Sequence, residues 1–348
     1  MQARNNILLL LVLLVLPVGL VYAQFAAPAT NGRIVIGMTP ESPLPSEYVH
    51  LTVLSSMINL ERSDITWYAD KKVIAQGPGV TEADIFAGSL GTEVDIVVIA
   101  QAEDGTVASG EAFIRPTEVD LVWESDSYTP PFYKGHALPS AGTKIRAQAI
   151  AVFRLPDGTL VPDSNITYTW RRNGSVIQTA SGRGRSFATF PAPTLFGTDT
   201  IEVEAVSADG TLSGKAGVNI PSVEPALLLY EDNPIFGIMY HKTFGQATTV
   251  KDAEVTFAAV PYFAEADSPD DPQLVYSWQV NGQRVTADYI RPSEITINAD
   301  KSSGNADIAL SLTRMRNWYM KADAEWKISF PSVGSSTGGA DPFNAGKQ

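Results

Sequence analysis

The amino-acid sequence predicts an all-β protein built from three tandem β-sandwich domains. The first observation is one phrase written three times: ITWYADKKVIAQG, YTWRRNGSVIQTASG and YSWQVNGQRVTAD. Trp67 and Trp170 are 103 residues apart, and Trp170 and Trp278 are 108 apart, which matches the size of one small β domain. The second observation is that apolar residues alternate with polar ones between turn signals. After the N-terminal segment, no stretch of helical period exceeds about two turns.

Further landmarks keep the same spacing and support the repeat. Asp104-Gly105-Thr106 precedes Asp209-Gly210-Thr211 by 105 residues. The segment TIEVEAVSA, from Thr200, alternates apolar and acidic residues as a half-buried strand does. Asn173-Gly174 and Asn281-Gly282 favour two-residue hairpin turns, because such turns need positive φ at both central positions.

The repeated tryptophan is predicted to be a core residue. Tyr168 and Trp170 lie two residues apart, as do Tyr276 and Trp278, and Ile65 has the tyrosine's place before Trp67. Period two puts each pair on one strand face. We therefore expect three structural cores that each contain one of these residues: Trp67, Trp170, Trp278, Tyr168 and Tyr276.

The phrases W-x-x-N-G, D-G-T and the domain-opening YEDNP resemble those of exported bacterial proteins with tandem immunoglobulin-like or PKD-like β-sandwich domains. Some of those proteins accompany type IV pilus or other envelope components. The resemblance covers about residues 32–331. It implies immunoglobulin-like domains with adhesive or spacing roles, and it brings no catalytic residues. The first copy departs at Asp70-Lys71-Lys72, and the third replaces the D-G-T hairpin with RMRNWYMKADAEW.

The chain opens with a segment typical of export. Arg4 precedes a long apolar stretch, and Val21 and Ala23 are small residues at the −3 and −1 positions of a signal-peptidase site. An uncleaved membrane anchor is the alternative, and both readings place the rest outside the cytoplasm, on the cell surface or facing the periplasm. The predicted organisation is a signal peptide or anchor (1–23), three domains (32–117, 118–223, 224–331) and a Gly/Ser-rich tail (332–348).

Composition narrows the possible functions. The 348 residues carry a formal net charge of −13 with a pI near 4.7. An acidic surface disfavours nucleic acid, because phosphate binding needs clustered Lys and Arg. The absence of cysteine excludes disulfides, thiolate nucleophiles and Cys-ligated metals. The domains must be held together by packing alone.

No residue pattern indicates catalysis, and we expect a protein that is not an enzyme. The three histidines, His50, His136 and His241, form no H-E-x-x-H or similar ligand spacing. No G-x-S-x-G motif is present. We therefore interpret the histidines as incidental or solvated residues.

Acidic pairs at two domain starts suggest a metal site. Glu124 and Asp126 open the second domain, and Glu231 and Asp232 open the third. Ca²⁺ takes six to eight oxygen ligands, so junctional carboxylates could bind it and stiffen a rod. The alternative is a set of solvated acidic loops, and no other cofactor is expected.

Aromatic residues at two places have two interpretations. Tyr128, Phe132 and Tyr133 surround a Pro-Pro pair, and Trp318 and Tyr319 lie late in the third copy. Exposed aromatic rings can anchor a partner protein or a sugar. Alternatively, they pack in an interface between domains.

The sequence as a whole favours a structural or adhesive module of the cell surface, within a pilus-associated or other envelope assembly. The expected partners are envelope or pilus proteins. The alternative is a lectin-like module that binds surface glycans. A membrane is expected as a partner only through an uncleaved N-terminal segment.

Overall fold

The computed structural model of the protein describes residues 33–193, 197–299 and 304–330. Within them the chain is almost entirely β-strand, with short 3₁₀ turns at Leu60–Arg62 and Asp163–Asn165. The predicted all-β class is confirmed. No helix in this part of the chain is long and apolar enough to cross a membrane. The signal or anchor segment (1–23) and the tail (332–348) lie outside the described residues.

The first sandwich has seven strands in two antiparallel sheets. The sheet β1-β2-β5 faces the sheet β4-β3-β6-β7. The strands are β1 Val35–Thr39, β2 Tyr48–Leu54, β3 Asp64–Ala69, β4 Lys72–Pro78, β5 Glu82–Phe86, β6 Val94–Gln101 and β7 Val107–Ile114.

The second sandwich repeats this order. The sheet β13-β9-β8 faces the sheet β11-β10-β14-β15, and β12 also pairs with β10. The strands are β8 Glu118–Ser125, β9 Lys144–Val152, β10 Ile166–Arg172, β11 Ser175–Val176, β12 Gly182–Arg183, β13 Phe187–Pro191, β14 Gly197–Ser207 and β15 Ser213–Ser222.

The third sandwich adds strands to the same plan. The sheet β17-β16-β19-β22 faces the sheet β18-β24-β23-β20-β21. The strands are β16 Ala226–Asn233, β17 Gly237–Phe244, β18 Ala247–Thr249, β19 Glu254–Tyr262, β20 Leu274–Val280, β21 Gln283–Val285, β22 Glu294–Asn298, β23 Gly304–Arg314 and β24 Asn317–Phe330. In each sandwich the repeated tryptophan lies on the third strand of the shared plan: β3, β10 or β20.

Each sandwich has its own hydrophobic core, built from the inward residues of both sheets. The cores fall inside the three sequence ranges given above, and the domain boundaries themselves stay a prediction. Trp67 and Trp170 are fully buried, and Trp278 is 1% exposed. Tyr168 is also buried, whereas Tyr276 is half-buried and packs against the third core.

The three indole N–H groups have equivalent partners. Trp67 Nε1 donates to Val80 O at 2.9 Å, and Trp170 Nε1 donates to Arg185 O at 2.9 Å. Trp278 Nε1 donates to Pro292 O at 3.0 Å. Each acceptor lies in the connection that leads into a strand of the opposite sheet, namely β5, β13 or β22. The ring therefore fills the core while its polar atom fixes that connection, which avoids the cost of an unpaired buried N–H.

The turn after the tryptophan strand is the same in all three sandwiches, although the first lacks Asn-Gly. Asn173-Gly174 and Asn281-Gly282 have positive φ at both residues, and so do Asp70 and Lys71, at 48° and 65°. The first side chain of each turn also accepts a hydrogen bond from a backbone N–H at the sixth shared strand, as Asp70 Oδ1 does from Asp95 N at 3.1 Å. The backbone conformation is kept because this contact is kept.

Lys71 occupies a conformation that suits glycine, which leads to a stability prediction. Lys71→Gly should stabilise the first sandwich by about 0.5–1 kcal/mol, because L-residues with a Cβ resist the left-handed region. The measurement is the denaturation midpoint of the first sandwich. The reverse change at the matching site, Gly174→Lys, should destabilise the second sandwich by a similar amount. No gain from Lys71→Gly would contradict the argument.

Candidate functional site

Tyr128 and Tyr133 join the second sandwich to the third. Both lie in the connection between β8 and β9. Tyr128 N donates to Ala264 O at 2.8 Å, and Phe263 N donates to Tyr128 O at 2.7 Å. The ring of Tyr133 meets those of Tyr262 and Phe263 edge-on, with centroids 5.7 and 5.8 Å apart. For these two residues the structure shows an interface between sandwiches.

Tyrosine hydroxyls form a cluster at this junction. Tyr128 packs against the third core, and Tyr240 contributes to raising the pKa of its hydroxyl. The hydroxyls of Tyr230 and Tyr262 lie 2.7 Å apart. Burial raises the pKa of Tyr128, Tyr230 and Tyr240 above the usual value. Burial thus favours the neutral form of these three hydroxyls.

A set of polar side chains completes the same junction. Arg314 Nε lies 3.3 Å from Glu265 Oε2, and Arg314 Nη1 lies 3.3 Å from Asp271 Oδ2. Asn317 Nδ2 donates to Glu265 Oε2 at 2.7 Å and to Ala141 O at 2.8 Å. Acidic residues of the β19–β20 connection thus organise the contact with the second sandwich.

The other predicted aromatic residues face solvent. Phe132 is 90% exposed, Trp318 is 93% exposed and Tyr319 is 58% exposed. Phe132 lies in the β8–β9 connection, and Trp318 and Tyr319 follow Asn317 at the start of β24. They are available to a ligand or a partner, in contrast to Tyr128, whereas Tyr133 is 38% exposed and also packs against Tyr262 and Phe263.

The acidic pairs proposed for calcium have partners within the protein. Glu124 lies 3.3 Å from Arg146, and Asp126 Oδ1 accepts a hydrogen bond from Lys144 N at 2.6 Å. Asp232 pairs with Arg291 at 3.0 Å, and its neighbour Glu231 is half-buried on β16. In residues 33–193, 197–299 and 304–330, no group of three or more His, Asp or Glu side chains is placed to hold a metal. The four carboxylates do not converge there on a common ligand set.

The sequence reasoning missed a patch on the outer face of the first sandwich. We call Tyr48, His50, Glu82, Asp84 and Phe86 the aromatic–acid patch. Tyr48 stands opposite Phe86 across β2 and β5, and His50 stands opposite Asp84. The two aromatic rings are edge-on with centroids 5.2 Å apart, and His50 Nδ1 lies 2.8 Å from Asp84 Oδ1. Tyr48 is 51% exposed and Phe86 is 66% exposed.

Asp84 organises the electrostatics of this patch. The Asp84 carboxylate raises the pKa of His50, and it also raises the pKa of Tyr48. The pKa of Asp84 is lowered in return, first by its hydrogen bond with His50 and then by the Tyr48 hydroxyl. The signal in the sequence was period two: Tyr48 and His50 alternate on one strand, and Glu82, Asp84 and Phe86 on the other. Which two strands would pair could not be read from one strand alone.

A second feature is an open groove on the third sandwich. It has a volume of about 590 Å³ and runs beside β20 and β21, within the range of small-ligand sites. Arg284, Asp288 and Tyr289 contribute to its lining. Tyr289 is 98% exposed, so its ring is free to contact a ligand.

Among known proteins, the chain is similar to solved structures at low sequence identity. No family model and no curated protein matches the chain. Fibronectin(III)-like modules of Clostridium thermocellum CbhA are 14% identical, with 54% of this chain and 94% of that one covered at a TM-score of 0.27. The central fibronectin-III array of RIM-binding protein is 13% identical, and the match covers 86% of this chain and 96% of that one at a TM-score of 0.30. Bacteroides ovatus SGBP-B, solved with a mixed-linkage heptasaccharide, is 13% identical. The match covers 85% of this chain and 70% of that one at a TM-score of 0.23. At these values nothing about ligands or partners follows.

The interface role of Tyr128 predicts an effect on its neighbour. Tyr128→Ala should destabilise the third sandwich by about 2 kcal/mol, because a partly buried ring and its contacts are lost. Hydrogen exchange read by mass spectrometry over residues 226–330 is the measurement. The exposed neighbour provides the control, since Phe132→Ala should change exchange very little. Equal effects of the two variants would rule out the interface role.

The His50–Asp84 pair predicts a titration. NMR of the His50 ring should give a midpoint above about 6.5, and Asp84→Asn should bring it down toward that reference value. Because the folded-state pKa is raised, the stabilising contribution is fully present below about pH 6.5 and is lost as the pH rises through the folded-state pKa. A His50 midpoint that Asp84→Asn leaves unchanged would contradict the pairing.

Proposed function

We propose that the protein is a non-enzymatic, exported module of the cell envelope that holds binding surfaces in fixed order along three immunoglobulin-like sandwiches. Its partners would be envelope proteins, including those of a pilus-associated assembly. The observation that carries the proposal is that both junctions between sandwiches are built in the same way. Sandwiches that were oriented independently of one another would have no reason to repeat the same junction contacts.

At the first junction, the connection after β1 contacts the start of β15. Ser42 Oγ lies 2.7 Å from Ser213 Oγ, and Thr117 Oγ1 donates to Ser213 O at 2.5 Å. Thr117, in the linker, also donates its N–H to Pro43 O at 3.0 Å. Linker, connection and the next sandwich are thereby tied together.

The second junction repeats the pattern at equivalent places. Val223, in the linker, donates its N–H to Pro139 O at 2.9 Å. Asn317, the first residue of β24, reaches Ala141 in the connection after β8. Ser213 is likewise the first residue of the last strand in its sandwich. The repeat of these contacts supports a semi-rigid series of domains.

Export is supported by the sequence of the N-terminal segment, including the small residues Val21 and Ala23. The lack of cysteine suits domains that are held by packing alone. The proposed non-enzymatic role is supported by the sequence, which contains no H-E-x-x-H motif.

The second candidate is carbohydrate binding, as a surface lectin-like module. It is favoured by the exposed Trp318 and by the groove beside Tyr289. Titration with a neutral oligosaccharide such as chitotetraose distinguishes the two. Saturable shifts of the Trp318 or Tyr289 NMR signals would favour the glycan function over the structural one.

Export and assembly can be tested in the producing cells. Intact cells are cross-linked, and the proteins attached to this chain are identified by mass spectrometry. We expect recurrent cross-links to envelope proteins and a mature chain that begins at Gln24. The variant Ala23→Asp should retain residues 1–23, because the processing site needs a small residue there. Recovery of the unprocessed wild-type chain from the cytoplasm, without envelope cross-links, would overturn the proposal.

A further inference from the structure

The aromatic–acid patch has no fixed cation among the described residues. Glu82 and Asp84 pair only with His50, at 3.9 and 2.8 Å. No Lys or Arg of the described residues forms an ion pair with either carboxylate. Some acidic residues on other sheet faces do have such a partner, as Glu204 has Arg171 at 3.1 Å. With His50 neutral, the patch presents two unbalanced negative charges.

The same patch presents exposed aromatic faces beside those charges. Tyr48 and Phe86 stand in cross-strand register with each other, and their contact holds both rings in place. On the other side of His50, strand β1 contributes the small residues Gly37 and Thr39. The carboxylates and rings therefore lie beside a strand with small side chains, which leaves room for a large partner.

We propose that this patch is a docking site for a partner protein that presents a Lys or Arg side chain. The cation would lie against the ring of Tyr48 or Phe86 and form hydrogen bonds with Asp84 and Glu82. Aromatic faces attract cations, and guanidinium groups fit carboxylates in a bidentate manner. The proposal names a partner class for the function proposed above, and its biological meaning rests on that function.

The charge is what selects a basic partner over a neutral sugar. Two carboxylates without a Lys or Arg repel each other weakly, and an incoming cation relieves that repulsion. A sugar would use the rings but would leave both negative charges unbalanced. Arginine suits the site better than lysine, because its planar fork can bond a carboxylate while its face lies on a ring.

Ligand binding and protonation of His50 should oppose each other. The titratable groups that face His50 are Asp84, Glu82 and Tyr48, and β1 across from it offers none. A bound arginine disfavours the imidazolium, so it should lower the pKa of His50. By reciprocity, the site should bind arginine more weakly as the pH falls through that pKa.

The chain contains only three histidines, which gives a direct experiment on the full chain. Ring signals of ¹³C-labelled histidine are followed by NMR, and His50→Gln identifies the His50 signal. The chain is titrated with acetylated tetra-arginine amide and, as a matched neutral probe, with tetra-citrulline. We expect saturable shifts at His50 with the arginine peptide only, while His136 and His241 stay unmoved.

Two exposed phenylalanines form a matched pair of variants. Phe86→Ala should weaken tetra-arginine binding at His50 by about two- to fivefold, the loss expected for an exposed cation–aromatic contact. Phe187, on β13, is similarly exposed, at 64% against 66%, and Phe187→Ala should have no effect. The double change Glu82→Gln and Asp84→Asn should abolish saturation. Unmoved His136 and His241 signals show that each variant is folded.

Several outcomes would overturn the proposal. Equal shifts at all three histidines would indicate diffuse attraction to an acidic protein. The absence of a shift at His50 would also overturn it, and so would equal effects of Phe86→Ala and Phe187→Ala on binding. A His50 shift with chitotetraose in place of tetra-arginine would assign the patch to glycans. Because the test uses purified chain, its failure leaves the export and cross-linking experiment untouched, and a failure of export leaves this site intact.

Discussion

The structure depends on one repeated interaction. In each sandwich, the indole N–H of a buried tryptophan donates to a backbone carbonyl in the connection that leads into the opposite sheet. Tryptophan is the largest side chain that each core buries, but its N–H must find a partner there. Val80, Arg185 and Pro292 provide carbonyl acceptors at nearly the same distance. Without disulfides, this bond is what fixes each core to the connection that crosses between its sheets.

The turn beside the tryptophan strand extends that constraint along the sheet. Asp70, Asn173 and Asn281 each accept a hydrogen bond from the neighbouring strand and occupy positive φ. A short side chain with an oxygen at this place satisfies both requirements. This explains why the first sandwich keeps the turn after losing the Asn-Gly pair, and why Lys71 is accommodated in an unfavourable conformation.

Sequence periodicity predicted the β-class and the buried tryptophans, because these depend on neighbours within one strand. It could not decide between the two interpretations of Tyr128 and Phe132, which lie four residues apart. Their exposure differs because Tyr128 meets Ala264 and Phe263 of the next sandwich, a contact between residues far apart in sequence. The aromatic–acid patch was missed for the same reason, since its pairing of β2 with β5 is not local.

The connection after β8 also decides where the chain is open to partners. In the third sandwich, Tyr230, Ala258 and Val260 alternate with core residues yet are buried, and Tyr133 of that connection packs beside them on Tyr262. In the first sandwich the corresponding face carries exposed Tyr48 and Phe86. The same sandwich plan therefore gives two different outer faces, because one is covered by the chain's own β8–β9 connection and the other is open and acidic.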